Sequence, residues 1–547
     1  MTPRAPLAAL LAAGLMAGCG SDDDTLACNE LTTARLGIAN LQVASAVEVA
    51  ASGALPAHCK VSGALNARTG SDGKPYAIGF ELRTPAPKAW NGKFFFQGGG
   101  GTNGFIVDAT GNLLNAPEGT ALGRGYAVAS TDGGHATEQA DVGFALDPQA
   151  RLDYGYNAVG EVTLAAKKLI AARFGRAPER SYLLGCSNGG RDAMVAASRF
   201  ADQFDGFVAA NPGFNLPKAA IAEAWDTQQF MSAAAPGQLP RDAFPASAMN
   251  LVASRIVARC DALDGLADGM VHDRAACQAT FDLATDVPTC SGTPDGTCLG
   301  AAQKRALQAI FSGARNSAGQ ALYASWPWDP GVAGANWRFW KLDAGFAPLP
   351  FNTLIGAGAM GYVFTSPPDA PALADGGLGY QLGFSMDTDA PKIFATGGIY
   401  TQSAMQFMTP PNPTQLNTLK ARGKLIVVHG TADPVFSADD TIAWYDALRA
   451  ADAGATAYAR LFLVPGMNHC AGGPATDRFD MLAALEAWVE QGVAPASVRA
   501  TVNPSDPDVI AAGWPATRSR PLCAYPAQAR LKSGATSVDD AASFECR

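Results

Sequence analysis

Residues 181–200 read SYLLGCSNGGRDAMVAASRF and pass from an apolar segment, through a glycine-flanked turn, into a helical pattern. The centre, Gly185-Cys186-Ser187-Asn188-Gly189, fits Gly-x-Ser-x-Gly, in which a nucleophilic serine sits on a strained strand-to-helix turn. The glycines leave room for that turn to pack closely. Ser187 is therefore the candidate nucleophile, and the alternative is a plain glycine-serine turn.

Strand-and-loop segments recur on both sides of this motif. They are KFFFQGGGGTNG (93–104), YAVASTDGGHA (126–136), FDGFVAANPG (204–213), KLIVVHGTADPVF (424–436) and ARLFLVPGMNHC (459–470). Helical patterns at 158–174 and 478–491 alternate with them. Strands that alternate with helices predict a right-handed, mostly parallel α/β sheet. Together with the serine turn, this order predicts an α/β-hydrolase fold.

Residues 214–395 interrupt the alternation. They hold four cysteines, many prolines and glycines, and the tryptophan-rich segment WPWDPGVAGANWRFW (326–340). Because a compact domain seldom contains so long an unstructured loop, we predict a large inserted lid domain here. The hydrolase core is then split into a first part, 28–213, and a second part, 396–547, which ends in a disulfide-clamped tail.

The first residues have the pattern of an export signal. Arg4 supplies a positive charge, residues 7–15 form a short apolar run, and small residues precede Cys19. We predict a signal peptide over 1–19 with a lipidated Cys19, then a polar tether over 20–27; the alternative is an ordinary secretory signal cleaved nearby. The protein is thus expected to be an outer-membrane lipoprotein or a periplasmic or extracellular protein. Membrane contact is expected only through the lipid anchor, because the apolar run is too short to span a bilayer.

The cysteine count agrees with export. The chain has 11 cysteines, and an even set remains without the predicted lipidation site, which in an exported protein indicates disulfides. No pair has the Cys-x-x-Cys spacing of a zinc site. Spacing alone does not fix the connectivity, but it favours three close pairs: Cys260 with Cys277, Cys290 with Cys298, and Cys523 with Cys546.

A serine nucleophile needs a histidine base and an acid that orients the base. In α/β-hydrolases the three follow in the order Ser, Asp, His. His469 is the last of the five histidines and follows an apolar strand pattern, and Asp433 lies upstream after another strand. We therefore predict the triad Ser187, Asp433 and His469. The competing acid, Asp477, follows His469 and is expected to start the last helix.

Two cysteines adjoin the predicted triad. Cys186 precedes Ser187, and Cys470 follows His469. A serine and a histidine within hydrogen-bonding reach would bring these two cysteines to disulfide distance. We therefore predict a bridge between the nucleophile loop and the histidine loop.

The oxyanion of acyl transfer needs two backbone N–H donors. One comes from the residue after the nucleophile, here Asn188, and the other from an early glycine-rich loop, here a residue within 98–101. That loop, GGGGTNG, lacks the Gly-Lys-Ser ending of a phosphate-binding loop. No organic cofactor is therefore expected.

The segment CDALDGLADGM (260–270) places three carboxylates, Asp261, Asp264 and Asp268, at short intervals among glycines. Such oxygen donors suit a hard cation such as calcium, with backbone carbonyls as further ligands. The spacing is not that of an EF-hand, and a solvated acidic loop is the alternative.

The overall charge argues against nucleic acid as a partner. The formal net charge is −9, and no run of lysine or arginine interrupts the acidic balance. Hydrophobic residues make up 48% and charged residues 16%, which is ordinary for a globular protein. The sequence does not indicate an oligomeric state.

Four motifs together resemble the tannase and feruloyl esterase family: GCSNGGR (185–191), CDALDGLADGM (260–270), HGTADPVFS (429–437) and PGMNHCAGGPATDRFD (465–480). The similarity extends from about Cys28 to Cys546. It implies an α/β-hydrolase with a lid that cleaves esters of aromatic acids.

The resemblance also implies roles for individual residues. The implied site residues are the triad Ser187, Asp433 and His469; Gly101 and Asn188 as oxyanion donors; Trp340, His429 and Phe436 in the acyl pocket; and Asp261, Asp264, Asp268 and the carbonyls of Leu266 and Met270 as ligands of a structural calcium ion. The implied disulfides are Cys186–Cys470 and Cys28–Cys59 beside the three close pairs.

One stretch departs from the family pattern. Some members bind a free carboxylate of the substrate with a lid arginine, but the matching stretch here, FAPLPFNTLIGAGAMGYVFTSPP (346–368), contains no arginine or lysine. Burying a carboxylate without a cation is costly. Arg338 or Lys341 would have to compensate through a different fold of the lid.

The sequence therefore predicts an exported serine esterase that acts through an acyl-enzyme on a small aromatic ester. The expected acyl groups are of the gallate, hydroxycinnamate or terephthalate monoester type. Three alternatives stay open: a hydrolase specialised for mono(2-hydroxyethyl) terephthalate, a serine peptidase with the same triad, and a non-enzymatic surface binding protein.

Overall fold

The computed structural model describes residue 1 and residues 25–136 and 141–547. The lipidation site Cys19, and nearly all of the predicted signal peptide and tether, lie outside the described residues. Leu26, near the end of the predicted tether, is buried and donates its N–H to the carbonyl of Ala172 at 2.9 Å. The backbone at Leu26 is thus bonded to the hydrolase core, and the bounds of the tether stay a prediction.

Within the described residues, one large sheet contains the strands β1 Leu41–Val49, β2 His58–Thr69, β3 Pro75–Pro85, β4 Lys93–Gln97, β5 Ala127–Thr131, β6 Arg180–Cys186, β7 Gly206–Ala210, β8 Lys424–Gly430 and β9 Ala459–Val464. Their order in space is β1-β2-β3-β5-β4-β6-β7-β8-β9. The pairs from β5 to β9 are parallel, whereas β1, β2 and β3 pair antiparallel and β3 joins β5 antiparallel. The parallel part agrees with the predicted sheet. The antiparallel edge was not predicted.

Two further strand pairs lie near the C-terminus: β10 Ser497–Thr501 with β11 Ser519–Cys523, and β12 Ala529–Leu531 with β13 Phe544–Cys546. The helices of the described chain are α1 Thr33–Leu36, α2 Pro148–Leu152, α3 Ala158–Phe174, α4 Asn188–Arg199, α5 Leu216–Ser232, α6 Pro240–Ala243, α7 Ala246–Cys260, α8 Arg274–Thr280, α9 Leu283–Asp286, α10 Ala301–Phe311, α11 Ala335–Lys341, α12 Phe351–Gly358, α13 Leu378–Gly383, α14 Ala404–Met408, α15 Asn417–Arg422, α16 Ala438–Ala451, α17 Met481–Gln491 and α18 Pro507–Ala511. No helix within the described residues is long and apolar enough to cross a bilayer.

The parallel strands are buried on both faces. Phe94, Phe95 and Phe96 of β4 are each 0% exposed. Since successive side chains of a strand point to opposite faces, Phe94 and Phe96 join one apolar cluster and Phe95 joins another. Helices α3, α4 and α16 pack into the first cluster and α17 into the second, so the sheet lies between helical layers.

Residues 214–395 follow β7 and precede β8. All of them are described, and they contain α5 to α13 but no strand of the large sheet. A third apolar cluster is built mainly from this segment. The exact domain boundaries stay a prediction.

The described residues form five disulfides, as the sequence and the resemblance predict: Cys28–Cys59, Cys186–Cys470, Cys260–Cys277, Cys290–Cys298 and Cys523–Cys546. The last of these joins β11 to β13 and clamps the C-terminal tail. The bridge Cys186–Cys470 spans 284 positions and ties the first half of the sheet to the second.

Candidate active site

Ser187 lies in the turn between β6 and α4, with φ 63° and ψ −124°. Residues with a side chain rarely adopt this conformation, which is typical of a nucleophile held on a sharp turn. The turn also needs its glycines: a Cβ at Gly185 would lie 2.5 Å from the carbonyl of Gly189, and one at Gly189 would lie 2.6 Å from the carbonyl oxygen of Gly99. Close packing therefore holds Ser187 in the wall of a cavity.

His469 and Asp433 meet beyond the ends of β9 and β8. Nδ1 of His469 lies 3.0 Å from Oδ2 and 3.1 Å from Oδ1 of Asp433. Nε2 of His469 is buried and has no hydrogen-bond partner among the described residues. A carboxylate at Nδ1 favours the tautomer that keeps the proton on Nδ1. Nε2 is then left to accept a proton.

Asp433 is held in place by several donors. Its Oδ1 accepts the N–H groups of Val435 at 2.8 Å and Phe436 at 3.2 Å, and its Oδ2 accepts Nδ2 of Asn211 at 2.7 Å. Burial alone would raise the pKa of Asp433, but the charges and hydrogen bonds of His469 and His429 outweigh it and hold this pKa well below its ordinary value. Asp433 therefore stays ionised beside His469.

The competing acid lies elsewhere. Asp477 accepts the N–H of Gly472 at 2.9 Å. The sequence also predicted that Asp477 starts the helix that follows it, and this prediction is wrong. α17 begins at Met481, and the side chain of Asp480 caps it by accepting the N–H of Ala483 at 2.9 Å.

The disulfide Cys186–Cys470 joins the two loops of this site. Its Cα atoms are 6.0 Å apart, one directly before Ser187 and the other directly after His469. The bridge therefore fixes the nucleophile loop against the histidine loop.

Ser187 faces a cavity of about 480 Å³, with open solvent at its mouth included. Residues from the core and from 214–395 line it together: Gly101, Thr102, Tyr154, Ser187, Asn188, Leu216, Ala220, Glu223, Trp340, Ile355, Gly356, Ala359, Phe364, Val435 and Phe436. Gly101 and Asn188, the predicted oxyanion donors, are both in the wall. Asn188 opens α4, where the first N–H groups have no partner inside the helix.

Two of the three predicted pocket residues reach this cavity. The rings of Trp340 and Phe436 line it and lie 5.0 Å and 5.4 Å from the ring of His469. His429 does not line it, which corrects the prediction. This side chain is 0% exposed, and its Nε2 lies 3.2 Å from Oδ2 of Asp433. Its Nδ1 lies 2.8 Å from Oγ1 of Thr441. His429 therefore contacts Asp433 inside the protein and not in the cavity.

Sequence reasoning missed Glu223. It lies on α5, and Leu216, Ala220 and Glu223 line the cavity together. The spacing of four and then three residues places them on one helical face. A single glutamate on this otherwise apolar face was the sequence pattern that could have indicated its role.

The two cations that could have replaced the missing lid arginine are engaged elsewhere. Nζ of Lys341 forms a buried ion pair with Asp226. Nη1 of Arg338 donates to the carbonyl of Phe244 at 2.9 Å, and its Nη2 lies 3.8 Å from Asp343. The described residues that line the cavity include no lysine or arginine.

The three carboxylates of the predicted calcium loop are engaged with other groups of the protein. Asp261 accepts the N–H groups of Asp268 and Gly269 at 3.1 and 3.0 Å, and Asp264 accepts those of Leu266 and His272 at 3.0 and 3.1 Å. The side chain of Asp268 pairs with Arg520. Among the described residues, no group of three or more His, Cys, Asp or Glu is placed to hold a metal ion. Calcium at this loop stays a prediction.

Comparison with known proteins shows the family of this chain. The family model described as "Tannase and feruloyl esterase" matches residues 59–350 and 385–547. The chain belongs to the tannase and feruloyl esterase family. It is therefore a carboxylic ester hydrolase, and the resemblance inferred from the four motifs is confirmed.

Curated relatives extend the similarity over most of the chain. A mono(2-hydroxyethyl) terephthalate hydrolase of Piscinibacter sakaiensis is 43% identical over 533 residues, which cover 92% of this chain and 87% of the relative. A probable feruloyl esterase of Arthroderma benhamiae is 29% identical over 488 residues, which cover 84% of this chain and 81% of the relative.

Two solved structures have the same fold as this chain. Feruloyl esterase B from Aspergillus oryzae matches with a TM-score of 0.72 at 23% identity, over 95% of this chain and 100% of that chain. Tannin acyl hydrolase from Aspergillus niger matches with a TM-score of 0.66 at 22% identity, over 95% of each chain. The predicted α/β-hydrolase fold is thereby confirmed.

Proposed function

We propose that this protein is an exported serine esterase that cleaves esters of aromatic carboxylic acids through an acyl-enzyme. The observation that supports it most is the arrangement around one cavity. Ser187 on its strained turn and the aromatic rings of Trp340 and Phe436 line the cavity, and both rings contact His469, whose Nδ1 is bonded to Asp433.

In the proposed mechanism, Ser187 Oγ attacks the ester carbonyl while Nε2 of His469 takes its proton. Asp433 stabilises the imidazolium that forms. The N–H groups of Gly101 and Asn188 are the proposed donors to the oxyanion. His469 then returns the proton to the leaving alcohol, and a water molecule activated by the same histidine releases the acid.

The walls of the cavity favour an aromatic acyl group. Trp340, Phe364 and Phe436 present rings to it, and an aromatic acyl group can stack edge-to-face on such walls. The names of the relatives point to the same substrate class. We therefore propose acids of the gallate or hydroxycinnamate type.

A second candidate substrate is mono(2-hydroxyethyl) terephthalate, because the relative named for its hydrolysis is 43% identical. The free carboxylate of that ester would enter a cavity whose described lining residues include no lysine or arginine. Desolvating it without a cation costs several kcal/mol. We therefore expect this substrate to be hydrolysed more slowly than a phenolic ester.

Export is proposed from the cysteines together with the N-terminal pattern. Five disulfides are present in the described residues, and disulfides persist in oxidising compartments outside the cytosol. Lipidation of Cys19 is part of this proposal, to be tested by mass spectrometry of the mature N-terminus.

The first experiment measures hydrolysis of methyl gallate, methyl ferulate and mono(2-hydroxyethyl) terephthalate in parallel, with Ser187→Ala as the blank. We expect a phenolic ester to be preferred. Ser187→Ala should lower kcat by about 10⁶-fold, as for other serine nucleophiles, without changing the thermal midpoint by more than a few degrees. Retained activity in Ser187→Ala would reject the proposed nucleophile.

A fluorophosphonate probe separates the remaining alternatives. Covalent labelling at Ser187, located by peptide mass spectrometry, is expected for a serine hydrolase and not for a binding protein. A matched amide of each acid separates an esterase from a peptidase, and we expect the amides to stay intact.

A further inference from the structure

One carboxyl group lies in the wall of the active-site cavity without a partner. Glu223 is 6% exposed and lines the same cavity as Ser187. Burial and the charges of Lys341 and Asp226 act on it most strongly, and within the part of the chain that the structure describes its carboxyl forms no hydrogen bond or ion pair. A buried polar group without a partner is costly, so this carboxyl is available to a substrate.

The carboxyl is positioned by a close approach of two helices. A Cβ added at Gly356 of α12 would overlap Oε2 of Glu223. Gly356 also lines the cavity. The glycine therefore makes the space that the carboxyl occupies.

The charged groups around Glu223 do not neutralise it. Asp226 lies on the same helix, and Lys341 of α11 is already paired with Asp226. Tyr323, also buried, interacts electrostatically with Glu223, and Tyr154 lines the same cavity. Burial raises the pKa of Glu223 to about 8. The charge of Lys341 opposes this rise, and the charge of Asp226 adds to it. Near neutral pH the carboxyl is therefore largely protonated.

A protonated carboxyl has one O–H donor and a carbonyl acceptor. A phenolic hydroxyl has the same pair of functions, so the two groups can bond in either direction. A carboxylate on the substrate would instead lie beside Glu223, which becomes anionic as the pH rises. The described residues that line the cavity include no cation to balance this charge.

We propose that Glu223 is a specificity-determining residue that hydrogen-bonds a hydroxyl on the aromatic ring of the acyl group and disfavours rings that bear a carboxylate. The inference rests on the proposed function, since it assumes that the acyl group attached to Ser187 occupies this cavity. It deepens that function by naming the residue that selects the ring substituent.

The test compares three esters that differ only in the para substituent: methyl 4-hydroxybenzoate, methyl benzoate and monomethyl terephthalate. The readouts are ratios of kcat/KM between esters, because a general loss of activity cancels in a ratio. The first variant is Glu223→Gln, which keeps the shape and the hydrogen bonding but cannot ionise. The second is Glu223→Leu, which can neither ionise nor form a hydrogen bond.

The wild type should prefer the hydroxy ester to methyl benzoate by about tenfold, the value of one good hydrogen bond. Glu223→Leu should abolish that preference, and Glu223→Gln should keep most of it. The ratio of monomethyl terephthalate to methyl benzoate should fall in the wild type between about pH 6.5 and about pH 9, as Glu223 ionises. In Glu223→Gln this second ratio should not change with pH.

Gly356→Ala gives a second perturbation that leaves the glutamate in place. Its methyl group should displace the carboxyl and reduce the hydroxy preference, so the test does not depend on the Glu223 variants folding. Unchanged ratios in the Glu223 and Gly356 variants would overturn the proposal. If the wild type cleaved none of the three esters while Ser187 was still labelled by the probe, the proposed aromatic acyl class would fail, and the role of Glu223 with it.

Discussion

At the scale of single residues, Asp433 decides how the base of this site is oriented. Its two oxygens accept hydrogen bonds from His469, from Asn211 and from two backbone N–H groups. Nε2 of the buried His429 lies 3.2 Å from Oδ2. A carboxylate with so many donors keeps its charge and its position. Nδ1 of His469 is thereby held as a donor, which leaves Nε2 as the proton acceptor.

Replacement of Asp433 by asparagine should lower kcat/KM by about 10⁴-fold, because an amide at this place favours the wrong tautomer of His469. The matched control is Asp477→Asn, which changes the competing acid and should alter kcat/KM by less than about threefold, because an asparagine oxygen can still accept the N–H of Gly472. Both are measured with the preferred methyl ester. Full activity in Asp433→Asn, or a large loss in Asp477→Asn, would contradict the assignment.

At the scale of elements, the loop 260–270 combines buried carboxylates with tight turns. Asp264 is 7% exposed, and burial raises its pKa to about 6 even though backbone N–H groups of His272 and Leu266 oppose the shift. A bound cation would relieve this desolvation. Asp268 would have to leave Arg520 to serve as a ligand.

Calcium added to chelator-treated protein is therefore expected to raise the thermal midpoint. At a hundredfold excess over Kd, the stabilisation is about 2.7 kcal/mol, or roughly 2–3 °C for a chain of this size. Asp264→Asn should reduce the shift, whereas Asp295→Asn, on an exposed turn outside the loop, should not. No binding heat in calorimetry and no shift with calcium would reject the calcium proposal.

At the scale of the whole molecule, one bridge joins parts of the chain that are far apart in sequence. Cys186 ends β6 and Cys470 follows β9, 284 positions later, with residues 214–395 between them. In the chain-entropy description, a bridge that closes a longer loop restricts the unfolded state more strongly. The same bridge also positions Ser187 and His469.

The double variant Cys186→Ala/Cys470→Ala should therefore lose both stability and activity. We expect a cost of about 2–5 kcal/mol and a thermal midpoint lowered by roughly 2–4 °C. The control is Cys290→Ala/Cys298→Ala, whose bridge spans 8 positions and adjoins no triad residue in the sequence; it should lower the midpoint less and leave kcat/KM close to the wild-type value. Equal effects of the two double variants would show that the first bridge has no special role at the site.

The sequence by itself determined the class of fold and the order of the candidate triad. Both are local patterns: apolar runs such as KFFFQ and KLIVVHG predict buried parallel strands, and Gly-x-Ser-x-Gly predicts the turn that Ser187 adopts. The close cysteine pairs were equally readable, because short loops bring their ends together at low entropic cost. The antiparallel edge strands β1 to β3 were missed, since β1 is largely exposed and lacks such a run.

Only the tertiary structure decided what surrounds the substrate. The cavity combines side chains from the first part of the core, from 214–395 and from the second part, and no local pattern specifies how such distant segments meet. This is why His429 turned out to lie behind Asp433, why Lys341 was found paired with Asp226, and why Glu223 emerged in the cavity wall. The candidate triad follows from residue types and spacing, whereas the lining of the cavity depends on long-range packing.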